Sequence, residues 1–414
     1  MSTQIAATGV AAADRRSKRN VAVLVFAHAI LGSQLAINII VAGLAGALLA
    51  DDPSFATLPI SIVVVGSLLT APAMSLFMGR YGRRAGFWVA ALAGAAAAGL
   101  CARALFIDSF ALFMTGSVLL GVYQAAQGFF RFAAADTASE AFKPKAISWV
   151  LAGGLLSALL GPEIVRATSG TLTAVPYAGA YLAMIVLNVI GAIGLTFLDI
   201  PPPPRAAIAA DTGRPLAAIA RQPVFLVAAL AGMVGFASMS LVMTSTPLAM
   251  VGHGFTPDHA ADVVRWHIVA MFAPSFVTGS IIVRFGRLPT IAVGLLLLGL
   301  CGAIALTGVD LHHFYLALIA LGIGWNFSFI GATSLLGTTH TPAEQAKVQG
   351  FNDFLVLGFV AVGSFGSGAL LDAFGWNAVQ YAMAPALLAA LVGVAWLQFV
   401  NGRIARRAIT DSGA

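Results

Sequence analysis

The sequence predicts an all-α membrane protein whose twelve transmembrane helices form two pseudo-symmetric six-helix bundles. Three observations carry this. The chain is 59% hydrophobic and 9% charged, with a mean hydropathy of +0.93. A water-soluble domain carries about 25% charged residues, so this chain cannot cover an aqueous surface. Its apolar stretches are continuous and run for about 20 residues, the length of a spanning helix, rather than alternating as barrel strands do. Finally, a basic Gly/Arg stretch at Ser75–Arg84 recurs at Gly279–Arg287. A shift of 204 places Arg80 on Arg284, Gly82 on Gly286 and Arg83 on Arg287.

The first 20 residues read as a polar tail bearing Arg15, Arg16, Lys18 and Arg19. The apolar run that follows extends from Val21 to Ala50. It exceeds the roughly 7–15 residues of a signal-peptide core, so it is expected to remain as the first helix. Six segments, at 21–49, 57–78, 86–107, 110–134, 145–168 and 175–198, build the bundle of residues 21–198. A polar connection at 199–222 follows, containing Pro201-Pro202-Pro203-Pro204. Polyproline cannot continue a helix, so this stretch is expected to link two halves. Six more segments, at 223–250, 261–283, 289–307, 313–337, 347–370 and 377–400, build the bundle of residues 223–400, and 401–414 is a second tail. Cys101 and Cys301 both fall inside apolar segments, as small core residues do.

Lys and Arg orient the bundle. With the N-terminus inside, all but Arg103, Arg131, Arg166 and Arg265 of the 22 basic residues lie on the inner side, while Asp51, Asp52, Asp108, Asp258, Asp262, Asp310 and Asp372 lie outside. This is the positive-inside pattern. It places both termini in the cytoplasm of a bacterial-type inner membrane. It also explains the net charge of +6 by topology, with no nucleic-acid partner. No metal-ligand cysteine spacing, nucleophile elbow, P-loop or dinucleotide fingerprint occurs in the chain. An enzyme is therefore not expected, nor ATP-driven transport, nor a cofactor, nor a resident metal. Leu120-Gly121 and Leu321-Gly322 repeat at an offset of 201, close to the offset of the basic turns. Two homologous halves with small gaps give such offsets, and a duplicated turn between membrane helices marks a transporter built from repeats.

The stretch 75–84 resembles the signature loop of the major facilitator superfamily, Gly-x-x-x-Asp-Arg-x-Gly-Arg-Arg. Arg80, Gly82, Arg83 and Arg84 match, while Ser75 replaces the first Gly and Gly79 the Asp. The second copy keeps Gly279, Arg284, Gly286 and Arg287 and has Val283 at the acidic position. The resemblance implies that Arg80, Gly82, Arg83, Arg84, Arg284, Gly286 and Arg287 serve gating. With the loop Asp absent, the latch falls to Arg-to-carbonyl bonds at helix C-termini or to another carboxylate, Asp136 or Glu140. Two further patterns of the superfamily are only partly present. In segment 4, Leu120, Gln127 and Gly128 match, but Gln124 stands where the family has Arg. In segment 5, the drug-antiporter pattern keeps Gly161 and Pro162, but Ser157 replaces its first Gly and Val165-Arg166 stand where glycines follow.

Polar groups in hydrocarbon are costly, so each embedded one is a candidate for function. Gln124, Gln127 and Arg131 recur at i, i+3 and i+7 on one helical face, with Tyr123 beside them. The resemblance implies that segments 1, 4, 7 and 10 line the central cavity. Gln34 and Asn38, at i and i+4 in segment 1, either hold a polar ligand or bond to a neighbouring helix. Segment 10 offers Trp325, the repeat equivalent of Gln124, and Asn326. The expected substrate contacts are therefore Gln34, Asn38, Tyr123, Gln124, Gln127, Trp325 and Asn326. Proton coupling is expected from Glu163 or Asp353, with Arg131 as an ion-pair partner. Amides and aromatics dominate this set. The expectation is uptake of a small neutral or weakly anionic solute with a planar part, a vitamin-like metabolite such as riboflavin. The alternative is proton-coupled efflux of a drug or metabolite. A monomer in the lipid bilayer is expected.

Overall fold

In a computed structural model, residues 2–52, 55, 58–168, 175–201 and 213–412 are described. Of the connection at 199–222, residues 202–212, with Pro202, Pro203, Pro204, Arg205 and Asp211, lie outside the described residues. The helices are α1 Ser2–Leu49, α2 Leu58–Tyr81, α3 Arg83–Phe106, α4 Phe110–Gly128, α5 Phe130–Asp136, α6 Lys143–Thr168 and α7 Ala178–Leu195. They continue as α8 Leu216–Ala220, α9 Pro223–Gly252, α10 Pro257–Phe272, α11 Ser275–Phe285, α12 Arg287–Thr307, α13 Leu311–Leu336 and α14 Gln345–Ser412. Ten helices among the described residues are long and apolar enough to cross a bilayer, and the bent pair α10–α11 makes an eleventh. The long α14 covers two predicted segments, divided at Gly375 (φ 79°, ψ −178°), a conformation open only to glycine.

Both predicted tails are helical, as α1 starts at Ser2 and α14 runs to Ser412, and the structure differs from the predicted segments in three further places. Segment 4 is two helices, because α4 stops at Gly128 and α5 restarts at Phe130. Segment 8 is likewise two helices bent by 40°, with Pro274 at the break. A hydropathy window sees neither break, since lipid demands apolar side chains whatever the backbone does. A short helix, α8, also stands in what reads as linker.

Contacts divide the chain into two compact units. One comprises Met1–Gly213 and Pro342–Leu357, and the other Arg214–Thr341 and Gly358–Ala414. Large apolar side chains lie bare on both, Leu69 at 66% and Val362 at 73% exposure among them. Such a surface belongs against lipid. Inside each unit, helices close on one another through small residues, as membrane helices do.

The duplication is visible atom by atom. A Cβ added at Gly121 of α4 would lie 2.5 Å from the Val63 carbonyl oxygen and 2.7 Å from the Ser67 nitrogen of α2. One added at Gly322 of α13 would lie 2.7 Å from the His267 oxygen and 2.8 Å from the Met271 nitrogen of α10. Shifted by 204, Val63 is 267 and Ser67 is 271. The repeated Leu-Gly pair therefore marks one backbone-to-backbone contact, made once in each unit.

Candidate functional site

The basic turns share a backbone. Gly82 (φ 87°, ψ 159°) precedes α3 and Gly286 (φ 95°, ψ 165°) precedes α12. Any Cβ is strained there, which is why both copies keep glycine. In each, the glycine N–H donates to the carbonyl four residues back, Met78 or Ile282, at 2.9 Å. The arginines part company around this common frame. Arg80, Arg84 and Arg284 are exposed, Arg80 and Arg284 lying over Tyr81 and Phe285 at 5.5 and 5.3 Å. Arg287 donates to Ser334 Oγ at 3.0 Å.

Arg83 is buried, and each nitrogen of its guanidinium has a partner, Nη1 only the Met78 sulfur at 3.8 Å. Nε donates to Asp136 Oδ2 at 2.8 Å and Nη2 to Gln349 Oε1 at 2.6 Å. Asp136 also accepts from Gln345 Nε2 at 2.6 Å. Of the two carboxylates considered for the missing loop Asp, Asp136 thus meets Arg83. Glu140 instead pairs with Lys143 on the exposed side. Gln345, Gln349 and Asp353 recur every four residues on one face of α14. Farther along that face, Arg131 Nη2 donates to Asp353 Oδ1 at 2.5 Å, with side-chain exposures of 8% and 6%. Asn352 Nδ2 reaches the same oxygen at 3.1 Å. Arg131 Nη1 donates to the Gly128 carbonyl at 2.9 Å, so it satisfies a backbone group released where α4 breaks. Glu163, by contrast, is exposed on α6 and pairs with Arg166 one turn on.

The polar stripe of α4 has a different character. Tyr123 sits beside Gln34, yet its buried hydroxyl makes no hydrogen bond of good geometry, and neither does Gln124 Oε1. Gln127 Nε2 rests against α1 at Gly32. Gln34 is wholly buried and exchanges two bonds with Asn188 of α7, at 3.1 and 2.7 Å. Asn38 accepts from Tyr181 Oη at 3.4 Å. Both amides of α1 therefore bond to a neighbouring helix, Gln34 through both its amide atoms and Asn38 through Oδ1. Asn188 went unnoticed in the sequence, although a lone amide in segment 6 is itself a signal.

In the second unit, Trp325 stacks on Phe329 one turn away, with centroids 5.2 Å apart and planes 17° apart. Phe236 of α9 and Phe272 of α10 meet it edge-on at 5.6 and 5.7 Å. The indole Nε1–H is buried with no acceptor. Asn326, next in sequence, serves the break in segment 8. Its Nδ2 donates to the Met271 carbonyl and Ser275 Oγ at 2.6 and 2.5 Å, and its Oδ1 accepts from Thr278 Oγ1 at 2.6 Å. Asn326→Leu removes all three bonds and should cost about 1–3 kcal/mol, read as a lower apparent Tm in detergent. An unchanged Tm would show that the clasp is not needed.

Comparison with known proteins agrees with this architecture. A sequence profile of the Major Facilitator Superfamily matches residues 22–356. The chain is 43% identical over 377 residues to the riboflavin transporter RfnT of Brucella anthropi, covering 91% of this chain and 95% of that one. It is 30% identical to the uncharacterised MFS-type transporter YddS of Bacillus subtilis, over 86% of this chain and 85% of YddS. Among solved structures, the MFS transporter FucP in its outward conformation superposes with a TM-score of 0.74 at 15% identity, covering 91% and 98% of the two chains. The human organic anion transporter MFSD10 gives 0.73 at 14% identity, over 91% and 99%. The chain belongs to the major facilitator superfamily and is a multi-pass secondary transporter, not an enzyme.

Proposed function

We propose that this transporter takes up riboflavin, or a flavin of the same shape, across the inner membrane by alternating access. The observation that carries the reading is the 43% identity, over nearly the whole chain, to a riboflavin transporter. The chemistry of the described residues supports it. Riboflavin is uncharged at neutral pH and combines a planar ring with a carbonyl and N–H edge. Trp325 offers a π-face among three phenylalanines and an unspent N–H. Gln124 Oε1 is buried and unspent, and the buried Tyr123 Oη has only Gln34 beside it; a buried polar atom costs about 1–3 kcal/mol until a partner arrives. In this reading Tyr123 and Gln124 are the substrate contacts of one unit and Trp325 that of the other. Gln34, Asn38 and Asn326 hold the helices that carry them.

Proton symport supplies the driving force in this reading. Asp353 takes the proton and frees Arg131, while the exposed Glu163 plays no part. Gly82 and Gly286 shape the gating turns, Arg83 latches onto Asp136 and Gln349, and Arg287 holds Ser334. Arg80, Arg84 and Arg284 anchor to headgroups. The protein works as a monomer with both termini in the cytoplasm.

Uptake of labelled riboflavin into proteoliposomes tests the assignment. Trp325→Ala should raise KM by about 30-fold, the equivalent of about 2 kcal/mol for a buried aromatic anchor. Trp325→Phe should keep most of the affinity. No riboflavin flux in wild type, or extrusion of lipophilic dyes instead, would overturn the substrate and direction. An unaltered KM in Trp325→Ala would overturn the role of Trp325.

A further inference from the structure

We propose that Asp310, His312 and His313, where α13 begins, form a binding site for a divalent transition-metal ion. Their donor atoms all lie within 4.8 Å of one another. The two imidazole rings are 4.0 Å apart between centroids, and His313 Nδ1 is 3.8 Å from Asp310 Oδ2. A zinc ion sits about 2.0–2.2 Å from nitrogen and carboxylate ligands, so small rotations of these side chains bring all three onto one ion.

Two features suggest that these groups are reserved for a ligand. Asp310 occupies the N-cap of α13, yet its side chain caps nothing. Ser109 before α4 and Thr256 before α10 do accept the expected backbone N–H. The Asp310 carboxylate is thus left over at a helix end where an acid normally finds a backbone partner. Meanwhile His313 Nδ1 is buried and makes no hydrogen bond. The ring is held in place by Gly308, where a Cβ would come within 2.5 Å of His313 Cε1 and 2.9 Å of Nδ1.

The donor set decides the class of ion. Two imidazoles and one carboxylate suit zinc, nickel or copper, whereas magnesium and calcium prefer all-oxygen shells. The helix dipole disfavours a cation at this end, and the Asp310 charge offsets it. The exposed positions of Asp310 and His312 leave coordination sites for water. Cysteine spacing, the usual sequence signal for zinc, could not have found this cluster. The site stands apart from the substrate reading and does not depend on it.

Calorimetric titration of purified, tag-free, full-length protein with Zn²⁺ tests the proposal. One ion should bind per chain. His312→Ala and His313→Ala should each weaken binding by about tenfold or more, and Zn²⁺ should raise the apparent Tm of wild type but not of His312→Ala. Gly308→Ala keeps every donor but displaces the His313 ring, and should cost about tenfold, as loss of an outer-shell support does. His340→Ala, beyond the far end of α13, and excess Mg²⁺ should leave binding unchanged. The proposal is overturned by absence of saturable binding, by wild-type affinity in both His312→Ala and His313→Ala, or by loss of binding in His340→Ala.

Discussion

Asp353→Ala, with Arg131 left in place, is expected to destabilise the protein by about 3–5 kcal/mol, because it strands a guanidinium in a site only 8% exposed. The double variant Arg131→Leu/Asp353→Leu should recover most of that loss. Two charges taken out of water together cost nearly as much as their attraction returns, so a buried pair is far more damaging to break than to replace. Apparent Tm in detergent reads the comparison. The exposed pair of Glu163 and Arg166 serves as control, since Glu163→Gln should shift stability by no more than about 1 kcal/mol. Flux then separates structure from coupling. If Asp353 carries the proton, the double variant should fold normally yet transport without response to a pH gradient. A double variant that still concentrates substrate when an inward proton gradient is imposed would remove Asp353 from the coupling step.

The second large effect is expected at the repeated glycines. Gly121→Val and Gly322→Val each drive a branched side chain into backbone atoms that already lie 2.5–2.8 Å from a bare Cβ. Backbone cannot rotate away as a side chain can, so each substitution should cost about 3 kcal/mol, the upper end of the range for overpacking. In each unit the damage should be local. Gly121→Val separates α2 from α4, and Gly322→Val separates α10 from α13. Equal losses at the two sites, measured as apparent Tm and as yield of monodisperse protein, are the expected result. Tolerance at either site would mean that the duplicated contact is not under the constraint its geometry indicates.

The sites were legible to different degrees, for physical reasons. The basic turns could be read because their glycines occupy a conformation that only glycine reaches, and such a demand leaves its mark on the sequence. Asp136 could be suggested as a partner for Arg83 from its position near the inner end of segment 4. Gln345 and Gln349 were not singled out, although they share a helical face with Asp353. Periodicity tells which residues lie together on a helix and leaves open what stands opposite. The same limit applies to Gln34 and Asn326. Each was a sound candidate for substrate contact as an amide in apolar surroundings, and each turns out to bond to a neighbouring helix. Pro274 was the available signal for the break that Asn326 clasps. The break after Gly128 had no such warning.

Composition and hydropathy were sufficient for the helices and their membrane setting, because burial in lipid imposes length and apolarity on each segment separately, and the repeated basic turns and Leu-Gly pairs were sufficient for the doubling of the chain. Which embedded polar atoms are already paired, and which still await a partner, was settled only by packing. Hydrogen bonds depend on atoms within about 3 Å of each other, and residues as distant along the chain as Arg131 and Asp353 come that close only once the helices have assembled.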